Sequence, residues 1–440
     1  AATLFIDMDP ERRMDYVTRF YRATSNGKIS LPTPIMAGIR TPTRQFSSCV
    51  VVDSGDSLAS ISATASAIVK YVSQRAGIGI NAGRIRAIGS AIRNGKARHT
   101  GVIPFIKHFA TAVKSCSQGA VRPGSATLYF PIWHYEAEEL LVLKNNRGTE
   151  ETRCRVLDYG VQFNGYLYER LKKGLTISLF SPSEVPGLYE AFFCDQAEFA
   201  RLYEQYEADP SIRKKTMKAK ELFGIFGGER ASTGRMYVQN VDHCNAGPFN
   251  PKKATIYLSN LCLEIALPTK PLNDVKDPEG EIALCTLSAF NVGAIEDLSE
   301  LEELSDMVVR ALDGLLDYQD YPVLAGRNGG LERRALGVGV TGFATYLARR
   351  GARYSDGSGK IPTHELFEAM QYYLLKASNV LAKEKGACAR YEDTTYSEGI
   401  LPIDRIPQGF KDAVGEFDLH MPLETLRADI QEYGLRNSTV

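Results

Sequence analysis

Residues 257–265 read Tyr-Leu-Ser-Asn-Leu-Cys-Leu-Glu-Ile, which sets an amide (Asn260), a thiol (Cys262) and a carboxylate (Glu264) at alternate positions with Leu261, Leu263 and Ile265 between them. In extended backbone, successive side chains point to opposite faces, so the spacing predicts one chemically active face and one aliphatic face. The same alternation also suits an edge strand with a solvated polar face and one half-buried cysteine. A carboxylate can act as a general base, and an amide both donates and accepts, which suits it to position a hydroxyl. No histidine stands nearby to make Cys262 a thiolate, which argues against a papain-like nucleophile. Two more cysteines have strand-like surroundings, Cys49 in Arg-Gln-Phe-Ser-Ser-Cys-Val-Val-Val and Cys285 in Glu-Ile-Ala-Leu-Cys-Thr-Leu-Ser-Ala-Phe. Within disulfide geometry, at a Cα separation of about 5.5 Å, such a pair delivers two electrons and two protons and leaves Cys262 for another task. Three thiols converging at about 2.3 Å on one ion would instead make a zinc site.

The elements that would position these groups alternate along the chain. A strand is expected over 45–52, then a helix capped by Asp56-Ser57 with Ile61, Ala65, Ile68 and Val72 at helical spacing. A second helix is expected over 102–117, strands over 127–133 and 235–241, and a basic-surfaced helix over 213–226. The clearest helix spans 362–385, with Leu366, Met370, Leu374, Ala377 and Leu381 on one face, Pro362 at its start and Gly386 past its end. Strand–helix alternation without repeats or linkers implies α/β layering, a barrel or a doubly wound sheet, in one large domain over 1–440.

Composition excludes several classes. The 440 residues carry 52 Lys+Arg against 52 Asp+Glu, so no net field advertises nucleic acid or an anionic membrane. Apolar runs stop well short of the ~18 residues of a spanning helix. Eight cysteines without a C-x-x-C, and no secretory leader, point to thiols in a reducing cytoplasm rather than to a disulfide scaffold or zinc finger. The neighbours His243 and Cys244 diverge as i,i+1 side chains and make a poor metal pair. The start, Ala-Ala-Thr-Leu-Phe, has neither Met nor leader and reads as a piece of something longer.

Three stretches in order, Arg44–Cys49, Ser259–Pro271 (Ser-Asn-Leu-Cys-Leu-Glu-Ile-Ala-Leu-Pro-Thr-Lys-Pro) and Ala283–Asn291, resemble the catalytic large subunit of the aerobic class I ribonucleotide reductases. The resemblance runs from Lys28-Ile-Ser-Leu-Pro-Thr-Pro34 to Leu435-Arg-Asn-Ser-Thr439. It implies a ten-stranded α/β barrel of two five-stranded halves with Cys262 on a central finger loop. It also implies a Cys262 thiyl radical that takes the 3′ hydrogen of a ribonucleoside diphosphate, with Glu264 as base, Asn260 on the sugar, and Cys49 with Cys285 as the reducing dithiol. Thr33, Ser47, Ser48 and Leu287 would line the substrate pocket. Asp56, Ser73 and Arg86 match residues that bind a dNTP or ATP effector, and Gln118 and Arg122 sit on a loop (116–124) that would link effector to substrate. That loop has Ala120 and Pro123 where relatives generally carry glycine, and proline stiffens it. Alone, Gly77-Ile-Gly79-Ile-Asn-Ala-Gly83 misses the dinucleotide pattern G-x-G-x-x-G. The resemblance implies a homodimer, a small radical-generating subunit with a di-iron tyrosyl cofactor, thioredoxin or glutaredoxin as reductant, and no metal or cofactor bound in this chain. Against the family pattern, the N-terminal ATP cone, the phosphate-holding turn, the relay tyrosines and the tail cysteines are not in the sequence, which suggests an incomplete reading frame, a shortened piece of a longer chain, or one half of a split enzyme completed by a second polypeptide. A nucleotide-binding and assembly module without turnover is the alternative.

Overall fold

Short, largely apolar strands alternating with helices build most of the backbone. The computed structural model describes residues 2–440 except 7, 40, 119–121, 416 and 417. In chain order the principal strands are β1 (Ile29–Ser30), β2 (Cys49–Asp53), β3 (Gly77–Asn81), β4 (Ala126–Pro131), β5 (Asp158–Phe163), β6 (Met236–Asn240), β7 (Ala283–Asn291) and β8 (Leu336–Thr341). The chain divides into two compact units, one of 49–283 with 321–329, the other of 1–48, 284–320 and 330–440.

The first unit is organised by a parallel sheet in the order β2-β3-β4-β5-β6. Its first four strands, β2 to β5, are buried along nearly their whole length, as parallel strands with helical crossovers are, while the edge strand β6 is partly exposed. Register puts Cys49 opposite Gly77, Val51 opposite Gly79, Gly79 opposite Thr127, Tyr129 opposite Gly160, Gly160 opposite Tyr237 and Gln162 opposite Gln239. Because side chains alternate, these residues share one face of the sheet, and the face is small or polar. Val50, Val52, Ile78, Ile80, Leu128, Phe130 and Val161 occupy the opposite, apolar face. The crossover helix Leu58–Ser73 buries Ile61, Ala65, Ile68 and Val72, as its spacing requires, and Ser57 caps it by accepting from the Ser60 N–H. Ile103–Lys114 forms the second expected helix.

One expectation fails here. Residues 213–226 are not one helix: Lys214–Lys218 is a strand antiparallel to Thr176–Phe180, and the helix begins only at Ala219. In the run Lys-Lys-Thr-Met-Lys, pairing with a neighbouring strand outweighs the helix propensity of lysine.

In the second unit, β1 pairs antiparallel with β7, and β7 pairs in parallel with β8. The helices Glu300–Tyr318 and Lys360–Lys385 enclose its core. The latter buries Leu366, Met370, Leu374, Ala377 and Leu381 and ends at Gly386 with φ 84°, in the left-handed region that favours glycine. Beneath that core the Asp313 carboxylate, fully buried, accepts from Arg334 Nε at 2.6 Å and Asn437 Nδ2 at 3.2 Å. Arg334 also pairs with Asp317 at 2.7 Å. The trio fastens residues 436–437 to the long helix. Among the described residues no helix is long and apolar enough to cross a membrane. Asp313→Ala should lower unfolding free energy by about 3 kcal/mol, the lower end for breaking a buried pair because Arg334 keeps Asp317, read as a shift in urea midpoint.

Candidate active site

The segment 257–265 lies against the small, polar face of the first unit's sheet, and the sheet is shaped to receive it. A side-chain carbon at Gly79 would sit 2.0 Å from the Ser259 carbonyl oxygen, and one at Gly77 would sit 2.8 Å from the Leu261 side chain. Gly160 leaves similar room for the Tyr129 ring. The polar residues then hold the loop: Thr127 Oγ1 donates to the Leu261 carbonyl at 2.7 Å, Tyr129 OH to the Asn260 carbonyl, and Gln162 Nε2 to the Tyr257 carbonyl at 2.7 Å. A buried backbone without ladder partners requires such donors.

The segment itself is not the expected strand. It turns at residues 261–263, with Leu263 at φ 70°, a left-handed conformation costly for a leucine. The cause is the Asn260 side chain, whose Oδ1 accepts from the Glu264 N–H at 3.0 Å and the Ile265 N–H at 3.1 Å and so closes a tight turn. Asn260 is consequently fully buried, whereas Cys262 and Glu264 are exposed, so the simple alternation of faces does not survive.

The turn nevertheless brings the chemistry together. Asn260 Nδ2 donates to Cys49 Sγ at 3.2 Å, and the Cys49 thiol donates to Glu264 Oε1 at 3.5 Å. Cys49 begins β2 and is 8% exposed. Thus the amide, the carboxylate and one expected cysteine are in mutual contact within a single unit. Cys262 stands two residues from Glu264. Its pKa is raised by partial burial and by the Glu264 and Asp158 carboxylates, so the sulfur keeps its proton near neutrality. Tyr237, on the same sheet face, is pushed up by burial and then by Cys262.

In the second unit, Cys285 and Leu287 lie on β7. A carbon at Gly337 on β8 would come within 3.0 Å of Cys285 Sγ and 2.5 Å of the Leu287 side chain, so any larger residue there would have to displace those side chains. Ser47 is fully buried and its hydroxyl lies 3.3 Å from Thr286 Oγ1. The buried Ser48 hydroxyl has no hydrogen-bond partner among the described residues. Thr33 is exposed at the start of the short helix Thr33–Gly38.

The effector candidates are separately placed. Asp56 does not cap its helix; its carboxylate takes the Arg86 N–H at 2.8 Å and Nε at 2.7 Å. The Ser73 hydroxyl donates to the Lys70 carbonyl at 2.9 Å. Arg122 is exposed in a hairpin pairing Ser117–Gln118 with Arg122–Pro123. Ala120 and the Gln118 side chain lie outside the described residues. Among the described residues no group of three or more His, Cys, Asp or Glu side chains is placed to hold a metal ion.

Residues 47–440 match the family model described as ribonucleotide reductase, barrel domain. The chain belongs to this ribonucleotide reductase family. It is 66% identical over its whole length to the ribonucleoside-diphosphate reductase subunit alpha of Haemophilus influenzae and to the ribonucleoside-diphosphate reductase 1 subunit alpha of Escherichia coli. It is 54% identical, over 98% of the chain, to the subunit alpha of Enterobacteria phage T4. The chain spans 58% of the length of the two bacterial relatives and 57% of the phage one.

For this reductase-family barrel, motif reading singled out Cys49, Asn260 and Glu264, which the structure brings together, but missed the residues that seat their loop: Gly77, Gly79, Gly160, Thr127, Tyr129 and Gln162. A signal existed. Period-two alternation of small or polar with aliphatic residues in β3, β4 and β5 marks a face that something must cover. Gly77 and Gly79, weak as a nucleotide signature, are explained by that cover.

Gly79→Ala, which meets main chain, should cost about 1–3 kcal/mol in urea unfolding and speed alkylation of Cys49. Gly77→Ala, which meets only a movable leucine side chain, should do less of both. The iodoacetamide rate at Cys262 should rise with pH only above the range of an ordinary thiol, because its raised pKa delays the thiolate, and Glu264→Gln should move that profile to lower pH.

Proposed function

We propose that the chain is the catalytic barrel of a ribonucleoside-diphosphate reductase. The observation that carries the reading is the contact of Asn260 and Glu264 with Cys49, on the loop that presents Cys262. In the net reaction the ribose 2′ C–O bond breaks, the oxygen leaves as water, a C–H bond replaces it, and two thiols become one disulfide. Cys49 and Cys285 supply those two electrons and two protons. Cys262 takes the 3′ hydrogen atom and later returns it, which requires an S–H bond to reform at that sulfur; a raised pKa favours that form. Glu264 removes the 3′ hydroxyl proton, and Asn260, whose Oδ1 is committed to the turn, offers Nδ2 to the sugar. Ser47, Ser48, Thr33 and Leu287 line the substrate side. The small subunit of the assembly holds the radical cofactor and supplies the oxidising equivalent.

The proposal extends to a ten-stranded closure of two halves and a cytoplasmic homodimer with a thioredoxin- or glutaredoxin-type reductant. It also extends to dNTP or ATP effectors at Asp56, Ser73 and Arg86, with Gln118 and Arg122 reading the base. Asp56 and Arg86 satisfy each other in this structure, and an effector's sugar hydroxyl and phosphate would replace that pairing, a role suited to a guanidinium fork. The remainder of the catalytic subunit would come from a further segment or a second polypeptide.

In the completed subunit with its small subunit, Cys262→Ser should abolish reduction of a ribonucleoside diphosphate while equilibrium dialysis shows nucleotide binding within about twofold of the parent. Retained turnover in that variant would sink the assignment; so would a parent assembly that binds nucleotide yet reduces none.

A further inference from the structure

We propose that Arg84 is a positioning residue for the loop that carries Cys262, acting through Tyr257. The inference rests on the reading of that loop as the reacting segment, but its test does not. Asp53 and Asn81 end β2 and β3, at the carboxyl edge of the parallel sheet. Asp53 is fully buried, and burial raises its pKa against the pull of Arg84, whose Nε lies 3.2 Å away. Asn81 Nδ2 donates to Asp53 Oδ1 at 2.7 Å and to Tyr189 OH at 2.7 Å, while its own oxygen accepts from the Gly83 N–H at 3.1 Å. A second carboxylate, Glu190, accepts from Arg84 Nη1 at 2.9 Å, so the guanidinium is held from two sides. The group lies 4.2 Å from the Tyr257 ring centre and 4.7 Å from that of Tyr189, two rings within 16° of parallel. Phe193 meets Tyr257 edge-on at 5.0 Å.

Tyr257 is therefore held at both ends, its ring by Arg84 and its carbonyl by Gln162. Three residues later comes Asn260, whose side chain makes the turn and touches Cys49. A buried ion pair is in itself weak evidence of stabilisation, because desolvation offsets the attraction. What it provides here is direction: a planar guanidinium over aromatic faces, which lysine, a compact point charge, does not reproduce.

The test uses the 440-residue chain and follows iodoacetamide labelling of Cys49 by peptide mass spectrometry, with Cys154, buried in the same unit outside this network, as internal reference. Arg84→Lys keeps a cation for Asp53 but loses the stacking; Tyr257→Leu keeps the Asp53–Arg84 pair and removes the ring. Both should label Cys49 about tenfold faster with Cys154 unchanged, the expected scale for losing desolvated cation–π contacts. Tyr257→Phe, which retains the aromatic face, should behave as the parent. If Cys49 labelling stays at the parent rate, or Cys49 and Cys154 accelerate together, Arg84 serves overall stability and the proposal is overturned. Should the lysine variant fail to fold, Tyr257→Leu decides alone. Because labelling reads loop placement directly, this result is independent of whether Cys262→Ser affects turnover.

Discussion

Three glycines on one face of the parallel sheet are the constraint on which the site depends. Gly77, Gly79 and Gly160 withhold the carbons that would collide with the Ser259 carbonyl, Leu261 and Tyr129, and in the cleared space a chain segment runs without strand pairing. Glycine in a strand interior costs backbone entropy and forfeits packing. That cost is offset because the segment replaces the missing side chains as core, and Thr127, Tyr129 and Gln162 satisfy its carbonyls. The parallel sheet supplies rigidity and the loop supplies an amide, a thiol and a carboxylate, a division that keeps such groups on irregular backbone and precision in the scaffold.

The second element is the Asn260 amide. By accepting two backbone N–H groups it bends the loop, and by donating to Cys49 it fixes the bend against β2. Leu263 absorbs the resulting strain at φ 70°. One side chain thereby couples local conformation to site geometry. The electrostatics follow: burial, and then Glu264 brought beside Cys49, raise the Cys262 thiol pKa, so the loop does not activate that sulfur as a thiolate.

How much of this was legible in the sequence differs by element. The helices over 58–73 and 360–385 followed from apolar spacing and caps, because burying one face is a local, periodic demand. The candidates Cys49, Asn260, Cys262 and Glu264 stood out as a motif, and the structure joins Cys49, Asn260 and Glu264 directly. The form of the loop was not legible: alternation over 257–265 looks like a strand, and only the Asn260 turn, closed by contacts four and five residues on, shows otherwise. Residues 214–218 failed for a related reason, since a lysine-rich run becomes a strand only by virtue of its partner Thr176–Phe180. Arg84 and Tyr257 lie 173 positions apart and carry no motif; their relation exists only once the sheet brings them together.

The most direct test of the account is a cysteine inventory after a single turnover of the completed enzyme without external reductant. Each product formed should consume two thiols, with Cys49 and Cys285 recovered in one disulfide-linked peptide pair and Cys262 still open to alkylation. Product formed with Cys49 and Cys285 both still reduced, or with Cys262 itself in the disulfide, would contradict it.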